Sequence, residues 1–345
     1  MKKKNTIIAA IIIVIIMIIL IVSMVFRSNL IDDNNKEIND NNKEIIDNND
    51  KQVTEKKDVE LKEIEYKEVK DKKNNNDVDE SKKNVQDNMI NSSAEKEKDI
   101  SKLVQDYIVM RGLEKDNIAI SLHVYNDDMR YNYNGDNYFT AASTYKLYQA
   151  VIYYDLINEG SKTLDDLCIF RDYMNQYGDI GDKLNDGDKV KIGDLLSYSI
   201  IDSDNTASYM LFENLGGWKK LKELASKYSK VSPDDSQYYS MDNIVKSNFL
   251  MDFLDRIYYN QNNYAQLMEY LGMAQPYNYL NLDESMHNKF IQKYGSYGGF
   301  ENAAGILIED RLNYSLVILT SYDGRGEGYI GELSKLIYDY LRNKY

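Results

Sequence analysis

The chain has 345 residues, 28% of them charged, with a net charge of −14, two histidines and one cysteine. That acidic balance disfavours nucleic-acid binding. The lone Cys168 excludes an internal disulfide, and with no H-x-E or C-x-x-C spacing neither a metal nor another cofactor is expected.

Residues 6–26 carry no charge and are nearly all Ile, Val, Met, Ala and Leu. That is the length of one transmembrane helix. Lys2, Lys3 and Lys4 precede it, which keeps the N-terminus in the cytoplasm and exports the rest. A cleaved signal peptide is the rival reading. Its apolar region would be too long, and Val22-Ser23-Met24 is a poor cleavage site. Residues 1–27 are therefore read as a cytoplasmic tip and an anchor, giving a single-pass protein of the cell membrane.

Residues 28–98 are dominated by Asn, Asp, Lys and Glu and cannot bury a core. Asn34-Asn35-Lys36-Glu37-Ile38 recurs as Asn41-Asn42-Lys43-Glu44-Ile45, but the heptad stops there, so low complexity is favoured over a coiled coil. As a disordered linker the segment reaches roughly 45–50 Å from the membrane.

Residues 99–345 form the remaining domain. A helix is predicted over 99–111, and a hairpin over 118–125 and 129–133 around Asn126-Asp127-Asp128. Helices dominate from 143 to 270. Strands follow at 289–294, 303–309 and 314–321, with an amphipathic helix over 328–341. Strands on both sides of a helical middle imply an α+β fold. The antiparallel sheet is flanked by the terminal helices, an all-helical lobe is inserted, and the site lies between the two.

Three motifs carry chemistry: Ser143-Thr144-Tyr145-Lys146, Ser203-Asp204-Asn205 and Lys293-Tyr294-Gly295. The first pattern alone says little, since Ser93-Ala94-Glu95-Lys96 repeats it in the linker. Context separates the two. After Ser143 the apolar residues Leu147, Ala150, Val151 and Tyr154 recur at helical spacing, so a buried helix begins at or near Ser143. Positions i and i+3 share a helix face, and Lys146 can reach back to the Ser143 hydroxyl. A serine needs a base, and lysine is one only when its pKa falls from about 10.4. Burial and a second cation, Lys293, both push it down. The alternative is that Ser143 is an ordinary helix cap. Ser203-Asp204-Asn205 lies between two apolar helical segments and reads equally as a cap or as part of a site.

The segment from Phe139 to Leu147, and Ile201-Asp202-Ser203-Asp204-Asn205-Thr206-Ala207 with Leu215-Gly216-Gly217, resemble class A β-lactamases among the penicillin-recognising serine enzymes. The resemblance runs from about Asp99 to the C-terminus. It implies that Ser143 is the nucleophile, Lys146 its base, and Ser203 the proton donor to the leaving nitrogen. It also implies that Asn205, Lys293, Gly295 and Ser296 bind substrate, with the Ser143 and Ser296 amides as the oxyanion hole. Two departures stand out. Tyr294 replaces the small hydroxyl residue that helps hold a substrate carboxylate, and no Glu occurs in residues 227–248, where the family carries its deacylating glutamate. By offset, that place falls at Tyr239, and the asparagine that follows it is matched by Asn243. Asp234, Asp235 and Asp242 are the nearby carboxylates, and Pro233-Asp234-Asp235-Ser236 reads as a polar turn. Nothing places His123 or His287 near Ser143, and Gly298-Gly299 reads as a strand bend.

The expectation is a membrane-anchored, extracytoplasmic serine acyl-hydrolase with a monomeric catalytic domain. Its substrates would be β-lactams or peptidoglycan-stem amides, with slow deacylation. A cell-wall D,D-peptidase or transpeptidase is the first alternative. A non-catalytic wall-binding or β-lactam-sensing module is the second.

Overall fold

The computed structural model describes residues 80–176, 180–229, 231–232, 234–274 and 278–345, with side chains from 94 onward. In chain order its elements begin with α1 (Glu80–Arg111), β1 (Ile118–Val124), β2 (Met129–Tyr133), β3 (Phe139–Thr140) and α2 (Tyr145–Asn158). The middle holds β4 (Leu167–Ile169), β5 (Lys189–Lys191), α3 (Ile192–Ile201), α4 (Asn205–Asn214), α5 (Trp218–Ser226) and β6 (Ile244–Val245). Then come α6 (Ser247–Tyr259), α7 (Ala265–Met273), β7 (Phe290–Tyr297), β8 (Phe300–Ile308), β9 (Asn313–Ser321) and α8 (Gly326–Arg342).

Five strands pair antiparallel in the order β2-β1-β9-β8-β7, so strands from the two ends of the domain meet at β1 and β9. Side chains alternate between the faces. Ile118, Ile120, Leu122 and Val124 join Leu316 and Ile318 on one face, covered by Ile100, Val104 and Ile108 of α1 and by Ile330, Leu333, Ile337 and Leu341 of α8. Their spacing of three and four gives each helix one apolar stripe. Ala119, Ala304, Ile306, Val317 and Leu319 face the other way, into the core of the helical lobe. The two cores account for the expected α+β architecture.

At the centre of the lobe, α2 is buried without a break from Lys146 to Asp155. A helix buried on every side belongs inside a core, and this sets its first turn rigidly at the lobe's edge. The bend expected at Gly298-Gly299 is a two-residue hairpin between β7 and β8, with φ of +58° and +85°. Glycine suits such a turn because both positions need the left-handed region.

Two expectations change. The first helix starts at Glu80, inside the stretch read as linker, rather than at Asp99. Glu, Lys, Gln and Met are good helix formers even where no apolar face is built. The helical middle also contains short strands, β4 paired with β5 and β6 paired with β3 just before it, too short to leave an alternating pattern. Among the described residues no helix is long and apolar enough to cross a membrane. Residues 6–26 and the rest of 1–79 lie outside the described residues.

Candidate active site

Ser143 sits in a single 3-10 turn, Ala142–Thr144, that runs directly into α2. It is not the cap. Thr144 precedes the helix, and its hydroxyl donates to the Ala141 carbonyl at 2.6 Å. Ala142 has φ of +48°, a costly conformation for a residue with a Cβ. The turn is held by its neighbours. Asn302 Nδ2 of β8 donates to the Thr140 and Ala141 carbonyls at 2.8 and 3.1 Å, and Asn243 Nδ2 donates to the Ala142 carbonyl at 2.9 Å. Ser143 thereby faces a cleft of about 660 Å³, lined also by Tyr145, Asn205, Asp242, Asn243 and Ser296.

One turn on, Lys146 is fully buried. Its Nζ donates to the Ser203 carbonyl at 2.6 Å and to Asn205 Oδ1 at 2.7 Å, and lies 3.3 Å from Ser203 Oγ. Burial drives its pKa down to about 7, against a smaller opposing pull from Asp204. A fall from 10.5 to about 7 favours the neutral amine by on the order of 5 kcal/mol. A neutral amine has two hydrogens for the two short bonds and a lone pair left over. Lys293, on β7, is also fully buried, and its Nζ has no hydrogen-bond partner. Burial, then the charge of Lys146, pushes its pKa well down.

The second motif splits into three jobs. Asp204 is the cap of α4, accepting from the Ala207 amide at 2.7 Å. Asn205 is the first helical residue and turns its side chain to Lys146. Ser203 stands before them at φ of +55°.

The third motif lies on β7, an edge strand of the sheet. A Cβ on Gly295 would fall 2.6 Å from the Ser143 amide nitrogen and 2.9 Å from that of Thr144. Only glycine lets β7 approach the nucleophile turn so closely. Gly295→Ala is therefore expected to cost about 1–3 kcal/mol of stability, as overpacking does, and to slow acylation at least about tenfold by moving Ser143. Thermal melting and a rapid-mixing labelling assay check both, and labelling at the wild-type rate would contradict the close approach. Tyr294 stacks on Tyr279 with ring centres 5.0 Å apart, and its ring lies 4.4 Å from Lys293 Nζ. Burial pushes the Tyr294 phenol's pKa up, and the nearby Ser203 hydroxyl opposes that rise.

Chemically, a buried neutral amine one helical turn from the cleft-lining Ser143 has a lone pair for the hydroxyl proton, and the Ser203 hydroxyl at the amine can pass it on. Ser143 and Ser296 line the same cleft, and the close approach of Gly295 sets β7 against the nucleophile turn, a placement that suits amide donors for a developing oxyanion.

A family model described as the beta-lactamase enzyme family matches residues 96–341. The chain belongs to this β-lactamase family. It is accordingly a serine hydrolase of the β-lactamase type. Among solved structures it is similar to PBP-A, with a TM-score of 0.61 and 18% identity over 70% of this chain and 96% of that one. It is also similar to the extended-spectrum β-lactamase TLA-1, with a TM-score of 0.58 and 21% identity over 72% and 99%. A β-lactamase from Sphaerobacter thermophilus matches with a TM-score of 0.56 and 18% identity over 68% and 95%. At these identities the likenesses carry the fold alone. No curated protein matches the chain in sequence.

Of the residues in the family's pattern, Ser143, Asn205 and Ser296 line the cleft, buried Lys146 joins Ser203 to Asn205, Gly295 packs against Ser143, and Lys293 is buried on the same strand as Gly295. Tyr239 does not line that cleft. It packs edge-on against Tyr238, at 4.9 Å between ring centres. Asn243, the other loop position expected, does line the cleft, together with Asp242 and Ile244. Asp235 is turned away, accepting from Tyr138 at 2.5 Å. His123 is buried in β1 between Asp255 and Asp128, 2.7 Å from each, and is not among the residues lining the cleft. Sequence reasoning missed Asn302 altogether. Its signal was an amide beside Glu301 at the head of the apolar run of β8.

Proposed function

We propose that this chain is a membrane-anchored, extracytoplasmic serine acyl-hydrolase whose Ser143 is acylated by β-lactams or related amides and then released slowly. The observation that carries this reading is the state of Lys146. An amine buried to a pKa of about 7, bonded to the Ser203 carbonyl and Asn205, and one turn from an accessible serine is what a base needs near neutral pH. A binding module has no use for such a costly burial, which argues against the non-catalytic alternative. Ser143 is the nucleophile in this reading and Ser203 the donor to the leaving nitrogen, while Asn205, Lys293 and Ser296 position the substrate. The test is mass spectrometry of the intact chain after adding a penicillin. A single increment equal to the antibiotic's mass is expected, and no adduct with any penicillin would overturn the reading.

A wall D,D-peptidase or transpeptidase is the second reading. It is favoured by the absence of any Glu from residues 227–248. The similarity to PBP-A, one mutant of which is known as an acyl-enzyme with penicillin G, is in keeping with it.

The anchor reading rests on the charge-free stretch 6–26 behind three lysines. Protease added to intact protoplasts is expected to remove the catalytic domain. A protected domain would reverse the topology.

A further inference from the structure

We infer that Lys222 is a positioning residue for the reaction at Ser143, acting by gathering the loop of residues 238–242 around its ammonium group. The inference rests on the acyl-enzyme reading above for its kinetic half only. Lys222 lies on the inward face of α5 beside buried Leu221 and Ala225, and only 1% of it is exposed. Its Nζ donates to three main-chain carbonyls: Tyr238 at 2.7 Å, Ser240 at 2.8 Å and Asp242 at 2.5 Å. An ammonium has three N–H donors, so donors and acceptors match one for one. The rings of Trp218 and Tyr238 flank the cation at 5.5 and 5.4 Å. The Tyr238 hydroxyl returns a bond to the Lys222 carbonyl at 2.9 Å.

The consequence lies one residue further on. Asn243 follows the last carbonyl that Lys222 holds. Its main-chain carbonyl accepts from the Ala141 amide at 2.8 Å, and its Nδ2 donates to the Ala142 carbonyl at 2.9 Å. Those are the two residues before Ser143, and Ala142 is in a strained conformation. Asn243 Oδ1 is buried, has no partner, and belongs to a residue that lines the cleft. The path from the Lys222 ammonium to the nucleophile turn thus runs through one loop end. The loop has no helix or strand of its own over 238–243, and regular structure resumes only at Ile244, where β6 pairs with β3. A cation can hold three carbonyl dipoles pointing inward, where a neutral side chain of the same length cannot.

Lys222→Met keeps the length and removes the donors. In the full-length chain, amide hydrogen exchange of peptides spanning 238–246 is expected to speed at least about tenfold, with β1, β8 and β9 unchanged. Penicillin acylation is expected to slow by about 10²-fold through misplacement of Ser143, while Lys222→Arg, which keeps charge and donors, recovers a substantial part of both. If Lys222→Met does not fold, Lys222→Gln, with a donor on a shorter stem, carries the same comparison. Unchanged exchange over 238–246, or faster exchange spread evenly through the sheet, would overturn the inference, since the second is only general loss of stability. Local loosening with acylation at the wild-type rate would also overturn it. A wild-type chain that no penicillin acylates would sink the function proposed for the site, and the exchange experiment would still decide whether Lys222 orders the loop.

Discussion

Ser143→Ala is expected to abolish covalent labelling by a fluorescent penicillin, and Lys146→Ala to slow it by about 10²–10⁴-fold, the usual contribution of a general base. The two effects differ because one removes the bond-forming atom and the other only its proton acceptor. The wild-type rate should also depend on pH in a defined sense. Lys146 acts only as the neutral amine, and its pKa is held near 7 by burial. Below pH 7 the ammonium dominates and acylation falls about tenfold per unit. As the pH rises through 7 the amine fraction grows and the rate levels off above about 8. Labelling that persists in Ser143→Ala would remove the nucleophile assignment. A rate that keeps climbing toward pH 10 would mean that Lys146 is not held neutral, and that the charge is better solvated than its burial indicates.

The parts of this site that were legible from sequence are those tied to unbroken elements. Ser143 and Lys146 share a helix turn, and a fully buried α2 announces itself through apolar spacing alone. Ser203-Asp204-Asn205 was ambiguous between cap and site because it is both: Asp204 caps α4 while Asn205 turns to Lys146. What escaped was whatever depends on contacts between distant segments. Counting along the chain pointed to Tyr239 and Asn243, and of the two only Asn243 lines the cleft, beside Asp242. A shortened loop has no internal periodicity from which to correct such an offset. Lys222 looked like any lysine on an amphipathic helix, since nothing local marks three carbonyls converging on it from 16 to 20 residues away. Asn302 was hidden for the same reason, its partners lying across the site in β3 and the nucleophile turn.

The adduct formed by a β-lactam is expected to be long-lived compared with that of a β-lactamase carrying a loop glutamate. Deacylation needs a water about 3 Å from the ester and a base to activate it. The described residues offer one carboxylate on the cleft, Asp242, and it is exposed, with its Oδ2 accepting from Ser240 at 3.2 Å. An exposed carboxylate held by its own loop is poorly matched to a water buried against Ser143. Lys146 would have to lose the proton it gained in acylation before serving a second time. Losing a general base slows a step by about 10²–10⁴-fold, so the acyl-enzyme should persist long after free antibiotic is removed. Following adduct mass and antibiotic consumption together distinguishes the outcomes. One antibiotic consumed per protein, with the mass increment stable, is the expected result. Rapid multiple turnover that disappears in Asp242→Asn would show instead that this carboxylate reaches the water, making the protein an ordinary hydrolase with its base moved a few residues along a shortened loop.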